Sequence, residues 1–303
     1  MRVTVNEAQN SGRSIFNLTL GLILIGTVGV AVLKSGLDPI AIVFWRSTIA
    51  TVFLLVWCFA TGILPDRSIT KRNLLVGLIA GASLVLSWAA FFAGIILTTI
   101  TTATIIMHIQ PFFILLLGAL LWKETVTRDQ LLWLTAAFVG VVLASGLSLS
   151  AGAIDHRWMT GVAITFGGAM LYAVTAVAGK ALKDQRGEIT TLCQTVVGVV
   201  IFAPFVNFHQ AIALPGWGWL AVIGVVQTGI AWVLIYSALP RVSTPLIAVL
   251  SFVNPLTAIT TDWLFFGRVL GLAQGAGLVL ILVSTLGVKL GWRLPFVRRL
   301  NSV

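Results

Sequence analysis

The stretch SWAAFF at residues 87–92 decides the fold, because a related stretch, AWVLIY, follows 144 residues later at residues 231–236. In each copy a tryptophan stands 23 residues before a proline that closes a short polar segment, IQP in the first copy and VNP in the second. The paired positions are Trp88 with Pro111 and Trp232 with Pro255. We therefore interpret the chain as two tandem repeats, residues 1–150 and 151–303.

Composition predicts that both repeats lie in a membrane. The 303 residues are 58% hydrophobic and 9% charged, with a mean hydropathy of +1.05, which leaves too little polar surface for a water-soluble globule. Apolar runs of this length must be helices, because lipid offers no hydrogen-bond partners to open backbone. Ten helical spans are predicted, near residues 16–33, 40–63, 74–97, 101–122, 131–149, 159–179, 189–206, 219–239, 246–266 and 272–290.

The number of spans per repeat predicts how the copies are oriented. Each repeat has five, and an odd number of crossings makes the second copy enter the membrane inverted relative to the first. Inverted repeats are typical of carriers that open a central site alternately to the two sides of the membrane. The expected fold is an all-α polytopic membrane protein with ten transmembrane helices, arranged as two inverted five-helix repeats.

The net charge of +10 is explained by topology rather than by a nucleic-acid partner. With both termini placed in the cytoplasm, 15 of the 19 Lys and Arg residues fall on cytoplasmic segments. The exceptions are Lys34, Arg46, Arg157 and Arg268. The chain is expected to be a multi-pass protein of the cell (inner) membrane with both termini cytoplasmic, and to bind no nucleic acid.

Three segments carry a resemblance to a known family: residues 101–124 (TTATIIMHIQPFFILLLGALLWKE), residues 243–268, and the Phe44-Trp45-Arg46 triplet. With the two five-helix units and the proline in the fourth helix of each, they resemble the drug/metabolite transporter superfamily, specifically EamA-type transporters. The resemblance covers nearly the whole chain. It implies a ten-helix carrier similar to bacterial amino-acid exporters, including exporters of aromatic amino acids.

Aromatic and polar side chains far from the headgroup regions are the candidate substrate-binding residues, because such groups are costly unless they face a cavity or a partner. The 144-residue offset pairs them on the third and fourth helices of each repeat, where they are expected to line one central space. The pairs are Trp88 with Trp232, Phe92 with Tyr236, Gln110 with Asn254, and His108 with Phe252. Packing within the helix bundle is the alternative for the two tryptophans.

Pro111 and Pro255 are interpreted as helix breaks, since each removes a backbone donor and frees a carbonyl one turn earlier. Gln110 and Asn254 then have two interpretations: they bind a polar solute beside the break, or they bond to their own broken helices. In the sixth span, Tyr172 belongs to a helical stripe with Thr165, Gly168 and Thr175, which either faces the cavity or forms a tight helix contact.

Glycines spaced four residues apart are interpreted as helix-packing positions rather than as binding residues. They are Gly77 with Gly81 and Gly271 with Gly275.

Ionisable groups inside the spans are few. His108 is read as a structural histidine, with a proton-coupling role as the alternative. Arg46 is interpreted as reaching the external boundary with its guanidinium, the alternative being a bond to a substrate carboxylate. The acidic residue nearest the membrane interior is Asp262, late in the ninth span, so we expect facilitated exchange rather than strict proton coupling.

The predicted function is a transporter that exports amino acids, aromatic or large neutral ones above all, by alternating access. The predicted partners are a small-molecule substrate and the lipid bilayer, with a monomeric state, and no cofactor or metal is indicated. The alternatives are export of another metabolite or drug, a channel, and a membrane-embedded enzyme. An enzyme would need acidic pairs, a Ser with His, or metal ligands inside the spans, so we predict that the chain is not an enzyme.

Overall fold

A computed structural model describes residues 2–65, 69–98, 100–145, 156–266 and 271–293 of the chain. Most of these residues are helical, and none of them forms a strand. Fourteen α-helices occur along the described residues: α1 (Arg2–Gly26), α2 (Val28–Ser35), α3 (Pro39–Ala60), α4 (Lys71–Leu97), α5 (Ile100–Met107), α6 (Gln110–Trp122), α7 (Arg128–Ala144), α8 (His156–Ala181), α9 (Gly187–Phe202), α10 (Leu214–Ala221), α11 (Ala231–Ala238), α12 (Thr244–Leu250), α13 (Val253–Phe266) and α14 (Leu272–Leu290). A π-helical segment, Val222–Ile230, joins α10 to α11.

In several places, consecutive helices together form one candidate membrane span. Within the described residues, nine helical stretches are long and apolar enough to span a membrane. The predicted span 131–149 corresponds to α7, whose 17 residues end at Ala144, and residues 146–149 lie outside the described part. A membrane protein with many helical crossings is therefore confirmed, whereas the number ten and the inverted orientation of the repeats remain predictions.

Local sequence explains where the helices begin and end. The side chain of Asp38 accepts hydrogen bonds from the backbone N–H groups of Ile40 and Ala41 at 3.0 Å, and Pro39 occupies the first turn of α3. Thr127 and Gln130 form a reciprocal capping box at the start of α7. Gly291 ends α14 with a left-handed backbone conformation (φ 66°).

The helices group into two compact bodies that cut across the sequence repeats. The first body consists of residues 1–89 and 174–242, and the second of residues 90–173 and 243–303. Each body therefore contains helices from both halves of the sequence. The division falls inside α4 and α8, which contribute residues to both bodies.

Close helix packing in each body depends on small residues. In the first body, a Cβ on Gly81 would lie 2.9 Å from the Cα of Gln194, so α4 and α9 approach closely there. In the second body, a Cβ on Gly277 would lie 2.5 Å from the carbonyl oxygen of Gly140, where α7 meets α14.

The packing interpretation is confirmed for Gly81 and is wrong for Gly275. Apart from the neighbouring backbone of α14 itself, no described atom lies within 4 Å of where a Cβ on Gly275 would be, and a close contact of α14 with α7 is made two residues later, by Gly277. Spacing alone predicted the right helix, but the wrong face.

Candidate substrate-binding site

Three of the predicted site residues meet inside the first body. The ring centroids of Trp88 and Trp232 are 6.4 Å apart with their planes at 66°, and those of Trp232 and Tyr236 are 5.5 Å apart. Trp232 and Tyr236 are 3% and 2% exposed, whereas Trp88 is half-buried. The two tryptophans at equivalent repeat positions therefore form one continuous aromatic surface with the phenol of Tyr236.

Arg46 joins this aromatic surface. It lies in the second turn of α3, is 8% exposed, and holds its guanidinium carbon 4.1 Å from the centroid of the Trp88 ring. The interpretation that Arg46 reaches the external boundary is wrong, because its guanidinium packs against an indole within the body instead. We name Arg46, Trp88, Thr228, Trp232 and Tyr236 the Arg46 cluster.

Thr228 fixes the orientation of the guanidinium. The Nε–H of Arg46 donates to the hydroxyl of Thr228 at 3.0 Å, and that hydroxyl donates to the carbonyl of Ile223 at 2.7 Å. The second bond spans five residues and lies within the π-helical segment Val222–Ile230. Single π-helical turns inside α-helices are frequent at functional sites. Here the wider turn places a threonine hydroxyl under the arginine.

The π-helical segment packs closely against α3 because two of its own glycines face that helix. A Cβ on Gly224 would lie 2.6 Å from Cγ2 of Ile49, and a Cβ on Gly229 would lie 2.8 Å from Cδ1 of Phe53. Gln227, also in the π-helical segment, donates from its amide nitrogen to the hydroxyl of Thr27 at 2.9 Å, at the junction of α1 and α2. The segment is thus tied to two neighbouring helices of the same body.

The other predicted site residues belong to the second body. Phe92 packs against Phe91, with ring centroids 5.8 Å apart. Nδ1 of His108 is 2.7 Å from the carbonyl oxygen of Thr104, an acceptor, so the neutral ring carries its proton on Nδ1. That bond within one helix turn supports the structural interpretation of His108.

Both predicted helix breaks are interrupted helices in the structure. α5 ends at Met107 and α6 begins at Gln110, with Pro111 in its first turn; α12 ends at Leu250 and α13 begins at Val253, with Pro255 in its first turn. The amide oxygen of Gln110, which is 6% exposed, has no hydrogen-bond partner among the described residues. The half-buried side chain of Asn254 lies beside the second interruption.

The stripe on α8 includes a tight helix contact. Thr165 is fully buried, and a Cβ on Gly94 would overlap its hydroxyl oxygen, so α8 and α4 touch at this point. Tyr172 lies further along α8 and is half-buried. For the Thr165 end of the stripe the packing interpretation therefore holds. The side chain of Asp262 and residue Arg268 lie outside the described residues.

A groove of about 320 Å³ also opens on the first body, and no ionisable residue is among those that line it. It is lined by Trp45, Thr48, Ile49, Val52, Phe53, Trp217 and Val225. Because its lining is apolar, it has the character of a surface that accepts lipid chains rather than a polar solute.

Comparison with known proteins identifies the class as membrane transporters. The model of the EamA-like transporter family matches the chain twice, at residues 13–146 and 159–290. The chain therefore belongs to the EamA-like transporter family, with two copies of the family unit.

The relatives are transporters, and some are named as exporters. The chain is 28% identical over 97% of its length to the uncharacterized transporter YxxF of Bacillus subtilis, covering 92% of that protein. It is 25% identical to the pseudopaline exporter CntI of Pseudomonas aeruginosa, covering 82% of this chain and 85% of that one. It is 25% identical to the threonine/homoserine exporter RhtA of Salmonella typhimurium, over 52% of this chain and 54% of that one.

A solved crystal structure shares the fold. It superposes with a TM-score of 0.76 at 16% sequence identity, covering 90% of this chain and 95% of the other.

Proposed function

We propose that this protein is a membrane carrier that exports amino acids, preferentially aromatic or large neutral ones. The observation that carries the proposal is the Arg46 cluster, in which one buried cation packs on Trp88 and the aromatic surface continues from Trp88 to Trp232 and Tyr236. Indole and phenol rings stack well on flat apolar side chains, and a guanidinium pairs with a carboxylate. An amino acid offers both groups. The relative named as a threonine/homoserine exporter supports the same class of cargo.

The proposed mechanism is alternating access. The two matches to the family model and the odd number of predicted spans per repeat support an inverted pair of bundles, the arrangement from which such carriers obtain two equivalent states. The proposed orientation has both termini in the cytoplasm of a bacterial inner membrane, which the distribution of Lys and Arg supports.

A panel of labelled amino acids tests this function in proteoliposomes. Sealed vesicles containing the purified protein are loaded with one unlabelled amino acid, and uptake of each labelled one is measured against vesicles without protein. The proposal expects saturable exchange that is fastest for aromatic and large neutral side chains. The absence of flux for every amino acid, with folded protein in intact vesicles, would exclude it.

A second candidate cargo is a small metabolite other than an amino acid. The relative named as a pseudopaline exporter supports this alternative. A library of metabolites screened by thermal shift separates the two, because a ligand that binds the folded carrier raises its apparent stability.

A further inference from the structure

Arg46 is a buried cation in a helix of membrane length. It is the eighth residue of α3, a 22-residue apolar helix, and is 8% exposed. A guanidinium that is buried inside the protein is costly unless an anion or a set of acceptors compensates its charge. Arginines retained inside spans therefore mark binding sites more often than they serve packing.

The compensation that the described residues provide is incomplete. Arg46 donates one hydrogen bond, from Nε to Thr228, and stacks on Trp88, but no carboxylate of the described part of the chain pairs with it. The terminal nitrogens Nη1 and Nη2 donate to no group among the described residues. They are the two nitrogens that form a parallel pair of bonds with a carboxylate.

The rest of the Arg46 cluster fixes the guanidinium in a position from which Nη1 and Nη2 can form this pair of hydrogen bonds. Thr228 restrains Nε, the Trp88 ring covers one face of the guanidinium, and Trp232 continues the aromatic surface beyond Trp88. A group held in position before its ligand arrives binds with less loss of conformational entropy. The cluster contains one cation, which matches a single carboxylate better than a phosphate with two charges.

We infer that Arg46 binds the α-carboxylate of the transported amino acid through Nη1 and Nη2, and that Trp88 and Trp232 contact its side chain. This inference rests on the proposed function. It makes Arg46 the residue that separates amino acids from amines and amides with the same side chain. Thr228 is a positioning residue, because it acts through Arg46.

The test compares phenylalanine with phenylalanine amide, which keeps the ring and the amine but lacks the negative charge. Exchange of each is measured in proteoliposomes with wild-type protein, Arg46→Gln and Arg46→Lys. The wild type is expected to prefer phenylalanine, with a KM about 10- to 100-fold lower than for the amide, the range of a charge-assisted pair. Arg46→Gln should raise the KM for phenylalanine by that factor and leave the KM for the amide within about twofold. Arg46→Lys keeps the positive charge but cannot form the parallel pair of bonds, so its KM for phenylalanine should lie between those of the wild type and Arg46→Gln.

Two further variants keep the test decisive. Lys34→Gln removes an exposed cation at the end of α2 and should leave both KM values unchanged. Thr228→Val keeps the shape of threonine and removes the acceptor of Nε, so it should raise the KM for phenylalanine without changing the maximal rate. It provides the readout if Arg46→Gln does not fold.

The outcomes separate the two proposals. Wild-type protein that exchanges phenylalanine, together with an Arg46→Gln variant of unchanged KM, would overturn the role of Arg46 and leave the exporter proposal standing. Wild-type protein that exchanges no amino acid counts against the proposed function itself.

Discussion

The two helical spans that carry Trp88 and Trp232 occupy equivalent positions in the repeats, yet they differ in build. The first is the continuous helix α4, whereas the second is divided into α10, a π-helical segment and α11. Trp88 is half-buried and stacks under a guanidinium, and Trp232 is 3% exposed and packs against a phenol. The aromatic pair is thus common to both copies, while its surroundings are not.

The difference lies in the residues that surround each tryptophan. The position equivalent to Arg46 in the second repeat is Thr190, whose hydroxyl donates to the carbonyl of Arg186 just before the start of α9. The position equivalent to Thr228 in the first repeat is Leu84, which is fully buried. A carrier that kept full twofold symmetry would have two cations. This protein has a single cation in the Arg46 cluster, so the proposed binding of a carboxylate by Arg46 predicts one preferred orientation for a substrate with one carboxylate.

Removing the two tryptophan rings should produce the largest and most unequal effects. Trp232→Ala deletes a ring that is 3% exposed and should lower the free energy of unfolding by about 3–5 kcal/mol. Trp88→Ala deletes a half-buried ring and its stack with Arg46 and should lower it by about 1–2 kcal/mol. Thermal unfolding in detergent measures both. Equal losses would mean that the two tryptophans have the same environment.

Gly224 lets the π-helical segment approach α3, and adding a methyl group at this position is expected to destabilise the protein. Gly224→Ala places a Cβ 2.6 Å from Ile49 and should destabilise the protein by up to about 3 kcal/mol, whereas the equivalent position of the first repeat is already Ala80. Gly218→Ala is the matched control, since Gly218 lies in α10 and no described atom beyond the neighbouring backbone of that helix lies within 4 Å of the new Cβ. The control should be neutral or stabilising by up to about 1 kcal/mol, as alanine favours the helix. Similar melting temperatures for the two variants would refute a close contact at Gly224.

A smaller effect is expected from the hydroxyl that holds Arg46. Thr228→Val removes the acceptor of Nε and should cost about 1–2 kcal/mol of stability, as expected for a hydrogen bond to a charged group. Thr48→Val on α3 is the control, because the hydroxyl of Thr48 bonds to the carbonyl of Phe44 in its own helix. Denaturant unfolding that gives the same change for both variants would show that the bond to Arg46 adds nothing.

The smallest effect concerns the fourth spans of the two copies. A carboxylate oxygen of Glu124 accepts the backbone N–H of Thr244 at 2.9 Å, at the N-terminus of α12. Glu124→Gln removes the negative charge from a helix N-terminus and should cost about 0.3–1 kcal/mol. High salt should reduce the difference between wild type and variant, and a difference that grows with salt would exclude an electrostatic origin.

Much of the fold follows from the sequence, because apolar length and proline position act locally. The interruptions before Pro111 and Pro255 lie where the missing backbone donors place them, and the helices of membrane length lie close to the predicted spans. The 144-residue offset also singled out Trp88 and Trp232, which are in contact. These features depend on a few residues each.

Sequence analysis offered a bond to a substrate carboxylate as the alternative for Arg46, but the contacts of Arg46 within the protein could not be predicted, since its partners are distant in sequence. Thr228 is 182 residues away, and its hydroxyl lies within hydrogen-bond distance of Arg46 because of a π-helical segment that no residue pattern predicted. Position near the start of a span suggested a cation that reaches the surface. The signal that the sequence did contain was the scarcity of acidic residues inside the predicted spans, and the proposal that Arg46 binds the carboxylate of a substrate is consistent with it.

Exchange of labelled phenylalanine by Trp88→Ala tests the central claim most directly. Trp45→Ala is the matched control, because Trp45 is also half-buried, lies next to Arg46 in sequence, and packs on Trp217 outside the Arg46 cluster. We expect saturable exchange by the wild type and by Trp45→Ala, and none by correctly inserted Trp88→Ala. Undiminished, saturable exchange by Trp88→Ala would contradict the assignment of the Arg46 cluster as the substrate site.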